Sequence, residues 1–351
     1  MSRLELLLPG DPETPTGGYV YDRRMVDGLR ALGWTVPVHT LDPSFPLPSA
    51  SALRQADAVL AAIADGARVL IDGLALGAMP ELVGRHRARL RLIALVHHPL
   101  ALETGLDSER AKRLRASERA ALTHVRRVIV TSTATARLLG DYGVDAEAVD
   151  VVEPGTDRAP LAPGPISDGP ARTPRLLCVG SVTPRKGHLL LIDALSGLRH
   201  LDWMLTCAGS LARAPDTAAA LRGAIDAAGL ADRVRLLGEV GQDALSRLYA
   251  EADLFVLPSQ FEGYGMAYAE ALARGLPVLG TRAGAIPDTV PADAGLLVEP
   301  GSATALRAAL ERLLSEPDLR RRLAAGARRA RRRLPDWALA TRRLAEVLAR
   351  V

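Results

Sequence analysis

Lysine is nearly missing from this chain. Of its 44 Lys+Arg residues two are lysines, Lys112 and Lys186, so the other 42 (44 minus 2) are arginines. Arginine stands wherever either cation would serve, as genomic base composition can impose, and the lysines that persist ask for a specific reason. Cysteine is equally scarce. Cys178 and Cys207 both fall in apolar runs that read as buried strands, which makes them small apolar fillers in a reducing compartment, neither a metal site nor a nucleophile. No Asp-x-Asp, His-x-x-x-His or Cys-x-x-Cys occurs, so no metal cofactor is expected, and the lack of Gly-x-Gly-x-x-Gly argues against a nicotinamide-type fingerprint. Aromatic residues make up only 3% of the chain, which disfavours an all-β fold. No apolar run reaches the roughly 18 residues of a membrane span. The opening Met-Ser-Arg-Leu-Glu-Leu-Leu-Leu-Pro is too short and too acidic for a signal peptide and reads as a first strand. A soluble, cytoplasmic protein without a nucleic-acid partner is the expectation.

What is present is a long alternation of strand and helix patterns. At 351 residues two domains are the default, and the richness in Ala, Leu and Arg suits helices alternating with parallel strands. Strands are expected at 4–8, 35–39, 68–72, 91–96, 128–131 and 149–152, with helices between them, which is one Rossmann-like half. Residues 158–174 carry Pro160, Pro163, Pro165, Pro170 and Pro174 and no periodicity, so they read as an interdomain linker. A second alternation follows, with strands at 175–180, 203–208, 234–237, 254–257, 278–279 and 296–298. Domains are thus expected at 1–157 and 175–335.

The stretch from Pro258 to Val278 organises the second half, because an apolar strand runs into a Gly-containing turn and then a helix closed by Gly275 and Pro277. The helix is expected to start near Tyr264, leaving the N–H groups of Tyr264, Gly265 and Met266 at a terminus that favours a phosphate. Glu262 and Glu270 flank it, up to about 12 Å apart along a helix axis. That is too far to share a metal or a proton, and wider than an ordinary glycosidase pair. Two carboxylates addressing hydroxyls, with phosphates between them, describe a nucleotide sugar.

Glu262-x7-Glu270, inside Glu-Gly-Tyr-Gly-Met and ahead of Gly-Leu-Pro-Val, resembles the signature of the retaining glycosyltransferases of family four. The resemblance implies the GT-B fold, two Rossmann-like domains facing across a cleft, with a last helix (336–351) returning to the first domain. It also implies that Glu262 contacts the transferred sugar and Glu270 the ribose. Gly17-Gly18 resembles the family's first glycine-rich loop, against donor phosphates and acceptor. His97-His98-Pro99 ends a strand where the family carries a His near the transferred sugar; His97 is matched to it, with His98 the second choice. Gly238-Glu239-Val240 resembles the segment whose backbone pairs with the nucleobase. Gly180-Ser-Val-Thr-Pro-Arg-Lys-Gly187 puts Lys186 at a helix entrance, where a compact ammonium can reach a pyrophosphate. Ser181 stands where the family has arginine. Either Arg185 supplies that charge or the phosphate is held less tightly.

The function implied is transfer of a sugar from a nucleoside-diphosphate sugar to an acceptor hydroxyl, retaining and metal-independent, by front-side attack. The donor is then a co-substrate, and no cofactor is expected. A nucleotide-sugar epimerase or hydrolase on the same fold, or an inactive nucleotide-sugar-binding protein, remains the alternative. Two basic helical segments, 108–125 and 317–334, read as solvated faces; for the first, docking on an anionic membrane or on the acceptor is the other reading.

Overall fold

The computed structural model describes residues 2–103, 105–162 and 173–351. It divides into two compact units, Met1–Gly155 with Pro335–Val351, and Thr156–Leu334.

The first unit is built on six parallel strands, β1 (Glu5–Pro9), β2 (Val38–Leu41), β3 (Arg68–Asp72), β4 (Arg91–Val96), β5 (Arg127–Val130) and β6 (Val149–Val151), in the order β2-β1-β3-β4-β5-β6. Near-continuous apolar runs such as Leu92 to Val96 form strands covered on both faces, as parallel sheets require. One face packs Leu7, Val69, Leu92 and Val128 under helices, and the other packs Leu6, Leu70, Ile93 and Ile129. Onto that second face fold Tyr21, Met25 and Leu29 of the helix Gly17–Ala31 together with Ala340, Leu344 and Leu348 of the helix Trp337–Ala349. Gly28 makes the approach of these helices feasible, since a Cβ there would stand 2.2 Å from Thr341 Oγ1.

The second unit holds β7 (Arg175–Val179), β8 (Met204–Ala208), β9 (Val234–Leu236), β10 (Leu254–Val256), β11 (Val278–Thr281) and β12 (Gly295–Val298), in the order β12-β11-β10-β7-β8-β9. Counted from its own first strand this is 6-5-4-1-2-3, the Rossmann order, with the reversal between β7 and β10. The side chains from both faces close into one cluster running from Ala162 to Ala330.

Three expectations need correction. The helix after β10 spans Met266–Ala273, two residues later than expected, because Gly265 takes a left-handed conformation (φ 90°) that cannot continue a helix backwards. The linker expected at 158–174 is partly structure: Ala162 N–H donates to Arg274 O (2.8 Å) and Arg331 to Ala159 O (2.8 Å), while residues 163–172 lie outside those described. In the segment 317–334, expected to carry all its arginines on a solvated face, Arg320 turns inward and donates to Leu314 O at 2.9 Å, satisfying a C-terminal carbonyl of the helix Ala303–Ser315. Among the described residues no helix is long and apolar enough to cross a membrane.

Candidate active site

In the second unit the loops leaving β7 and β10 converge, because these strands are neighbours at the point where strand order reverses and open α/β sheets place ligands outside the carboxyl ends there. The β7 loop, Gly180 to Gly187, ends in a 3-10 turn, Pro184–Lys186. Gly187 closes it at φ 73°, lying so near the β10 loop that a Cβ would stand 2.2 Å from Pro258 O. Only glycine meets both demands. Gln260 N–H donates to Arg185 O at 2.7 Å, and Arg185 Nη1 donates to Phe261 O at 2.8 Å, so the backbone and the side chain of Arg185 both lace the two loops together.

Glu262 sits at the centre. Its Oε1 accepts from Lys186 Nζ and from Ser259 Oγ, both at 2.6 Å, and its Oε2 lies 3.3 Å from Arg185 Nη1. Burial by itself would raise its pKa, but the charges of Lys186 and Arg185 and the hydrogen bonds from Lys186 and Ser259 outweigh it and hold the carboxyl below its usual value. A carboxylate and two cations are therefore fixed at one place. The sequence points Lys186 at a phosphate and the family resemblance points Glu262 at the sugar, but neither joins the two, and Ser259, three residues before Glu262, goes unmarked.

The other matched positions of the second unit follow the strands and the helix of the same sheet. Tyr264 O accepts from Thr289 Oγ1 (2.8 Å), Gly265 caps the helix, and Met266 opens it, so first-turn N–H groups face the same end of the sheet. Glu270 is on that helix, its Oε2 accepting from Tyr249 Oη at 2.9 Å, with Arg274 stacked 4.3 Å over the Tyr249 ring. Burial raises its pKa despite Tyr249 and Arg274. Ser181 follows β7, where Val182 N–H donates to Ser210 O (2.8 Å); exposed Glu239 and half-buried Val240 follow β9, where Gly238 O accepts from Gly209 N–H (2.8 Å).

A second cluster lies in the first unit, where β1, β3 and β4 are neighbours and their carboxyl ends meet. His97 Nε2 is 3.3 Å from Asp22 Oδ1 and 3.5 Å from Asp72 Oδ2, with the Tyr21 ring set edge-on at 5.4 Å. Gly18, beside Gly17 at the helix start, lies against His97: a Cβ would be 3.4 Å from Cδ2. His98 turns instead to Glu103 Oε2, at 3.0 Å. Burial lowers the His97 pKa, but Asp22 and Asp72 raise it by more, and Asp72 itself is pushed up to about 7 by burial and by the charge of Asp22. These three groups offer ligand atoms within 4.8 Å of one another, a grouping that the sequence alone does not bring together. The signal overlooked was positional. Asp72 closes an apolar strand ahead of Gly73, and Asp22 is one helical turn from Gly18.

On the segment 108–125, the helix Ser108–Leu122 pairs Lys112 with Glu109 (2.9 Å) and Arg110 with Asp107 (3.4 Å), as solvated helix faces do.

Residues 15–159 match the family profile described as Glycosyltransferase Family 4, and residues 167–330 the one described as Glycosyl transferases group 1. A D-inositol 3-phosphate glycosyltransferase of Xylanimonas cellulosilytica is 33% identical over 59% of this chain and 52% of its own length. An MMP alpha-(1->4)-mannosyltransferase of Mycolicibacterium hassiacum is 29% identical over 85% of this chain and 74% of its own. The chain thus spans from about half to three quarters of these relatives. Among solved structures, sucrose-phosphate synthase from Thermosynechococcus elongatus superposes with a TM-score of 0.83 at 24% identity, over 100% of this chain and 99% of that one. HepE from Anabaena, solved with UDP and glucose, gives 0.79 at 21% identity over 100% of both chains. With both units matched by these profiles and the same pair of Rossmann-like sheets shared with solved glycosyltransferases, the chain belongs to the family-four glycosyltransferases of the GT-B fold.

Proposed function

We propose that this protein moves a sugar from a nucleoside-diphosphate sugar to an acceptor hydroxyl with retention of anomeric configuration and without a divalent cation on the phosphates. The observation that carries the proposal is the meeting of Lys186, Arg185 and Glu262 at the carboxyl ends of β7 and β10. HepE, the structural relative crystallised with UDP-glucose, supplies the donor class by analogy.

In the front-side reaction the acceptor oxygen attacks the anomeric carbon from the face that the phosphate leaves, and the acceptor proton passes to a phosphate oxygen. Negative charge grows on that phosphate, where a cation and the first-turn N–H groups of the helix Met266–Ala273 gain strength as the bond breaks. Lys186 has three donors and gives one to Glu262, which holds the ammonium at a fixed spot and leaves the others for the phosphate. Glu262 orients the sugar hydroxyls, and Glu270, beside Tyr249, takes the ribose. His97, held by Asp22 and Asp72 within the first unit, keeps the role that the family resemblance implies for it.

A panel of nucleoside-diphosphate sugars screened by thermal shift, followed by NMR of the product's anomeric centre, tests the reading. A ligand at 100 times its dissociation constant adds about 2.7 kcal/mol to stability. An α-linked product from an α-linked donor, formed without added Mg2+ or Mn2+, is expected. Inverted product, strict dependence on added Mg2+ or Mn2+, or free sugar released in place of a glycoside would overturn it, the last in favour of a hydrolase.

A further inference from the structure

The two cysteines of the chain were expected to be inert fillers, yet the fold gives them a partner that fillers do not need. Cys178 on β7 and Cys207 on β8 are directly paired residues of neighbouring parallel strands, so their side chains leave the same face of the sheet. His188, the first residue of the helix His188–Ser196, comes down on that face, and the two sulfurs and an imidazole nitrogen lie within 4.8 Å of one another. Cys178, Cys207 and His188 are 0%, 5% and 2% exposed, so bulk solvent does not reach their polar atoms. Apart from the neighbouring thiol of Cys178, the ring nitrogens of His188 have no hydrogen-bond partner. A buried imidazole with nothing but a weak thiol beside it recovers little of its desolvation cost, and such a group in a folded core asks for a partner of another kind.

We propose that Cys178, Cys207 and His188 bind a single thiophilic d10 metal ion, Zn2+ or Cu+. Two thiolates and one imidazole are the soft and borderline donors those ions prefer, and Mg2+ or Ca2+ would reject them. The step balances: both thiols give up their protons to solvent, the metal enters, and two sulfur–metal bonds and one nitrogen–metal bond form with no change of oxidation state. With Zn2+ the two thiolate charges cancel the ion's charge, so a neutral unit is buried.

The site is separate from the sugar-transfer chemistry but lies against it. Cys178 stands two residues before Gly180 and His188 one residue after Gly187, so one ion ties down both ends of the loop that carries Arg185 and Lys186. The role is that of a pin. Sequence spacing could not show it, since the ligands are 10 and 19 residues apart and only the β7–β8 pairing brings them together.

The test is made on the reduced full chain. Zn2+, and separately Cu+ under reductant, is titrated in competition with a chromophoric chelator, and metal content after gel filtration is measured by mass spectrometry. One equivalent bound with sub-micromolar affinity, two thiols protected from a thiol reagent by the metal, and at least a 100-fold weaker affinity in Cys178→Ser and in His188→Ala are expected. X-ray absorption should count two sulfurs and one nitrogen. Binding of neither ion to the wild-type chain overturns the proposal whatever the variants do, and so does metal affinity undiminished in folded Cys178→Ser. A native mass 2 Da low, marking a Cys178–Cys207 disulfide in the protein as isolated, overturns it as well.

Discussion

Glu262 is held between opposite charges, and its replacement separates two kinds of loss. Glu262→Ala should leave the affinity for free nucleoside diphosphate within about threefold while turnover falls by roughly 10² or more, the scale of one preorganised group. Glu270→Ala should weaken donor and free nucleotide together. Calorimetric titration of both variants decides: equal loss of free-nucleotide affinity would reverse the roles assigned to them. Lys186→Ala should lower turnover at saturating donor by roughly 10² to 10³, with a smaller effect on donor affinity, and Lys186→Arg should restore only part because a planar fork does not replace a compact ammonium. The same change strips Glu262 of its nearest counter-charge, at a cost to folding of about 1 to 3 kcal/mol. Melting Lys186→Ala beside the double variant Lys186→Ala/Glu262→Gln reads this directly, since the double variant should recover stability but not turnover. Single residues with unusual surroundings were legible: Lys186 stood out in a chain of arginines and Glu262 in a strand–turn–helix. Their ion pair was not, because Lys186 and Glu262 stand 76 positions apart and nothing in the sequence between them says that β10 lies next to β7.

Elements were legible where an apolar run or a 3.6-residue stripe fixed them, as for β3 at Arg68–Asp72 and β4 at Arg91–Val96. Boundaries moved where a single backbone angle decides, as at Gly265, or where a polar side chain is turned inward by tertiary packing, as at Arg320. The helix Ser108–Leu122 shows the second effect most clearly, for it read as solvated yet buries Glu118, whose Oε2 accepts from Leu100 N–H at 2.9 Å. Burial pushes the Glu118 carboxyl up to about 8, against the Leu100 hydrogen bond. A carboxyl raised on folding is best tolerated protonated. Its favourable contribution is complete below its unfolded pKa, near 4.5, and is lost as pH rises through about 8. Glu118→Gln, which keeps the acceptor and cannot ionise, should therefore melt several degrees above wild type at pH 9 and within about a degree of it at pH 5. Parallel melting curves of the two proteins from pH 5 to 9 would contradict this account of Glu118.

The division into two Rossmann-like units was legible at the scale of the whole chain, since two strand–helix alternations flank a proline-rich stretch. Gly28 was not legible as a contact point, because nothing near it in sequence points to Thr341 more than three hundred residues on. Leu344, 1% exposed in the core shared with Tyr21, Met25 and Leu29, tests that junction. Leu344→Ala should cost about 2 to 5 kcal/mol, and calorimetry should show the loss in the transition of the first unit while that of the second stays in place; a uniform shift of all melting would refute independent cores. The second unit, residues 156–334, is an unbroken piece of chain, whereas the first is completed only by the helix Trp337–Ala349. On a ribosome adding about 5 to 20 residues per second, the first unit must wait roughly 10 to 40 s after its sheet is made before Ala340, Leu344 and Leu348 arrive to cover it. The later-made unit is thus free to fold first. During that interval the face around Tyr21, Met25 and Leu29 is an exposed apolar surface on a nascent chain, a natural place for a chaperone to bind, and chains stalled just short of residue 337 should show protease-resistant second units joined to protease-sensitive first ones.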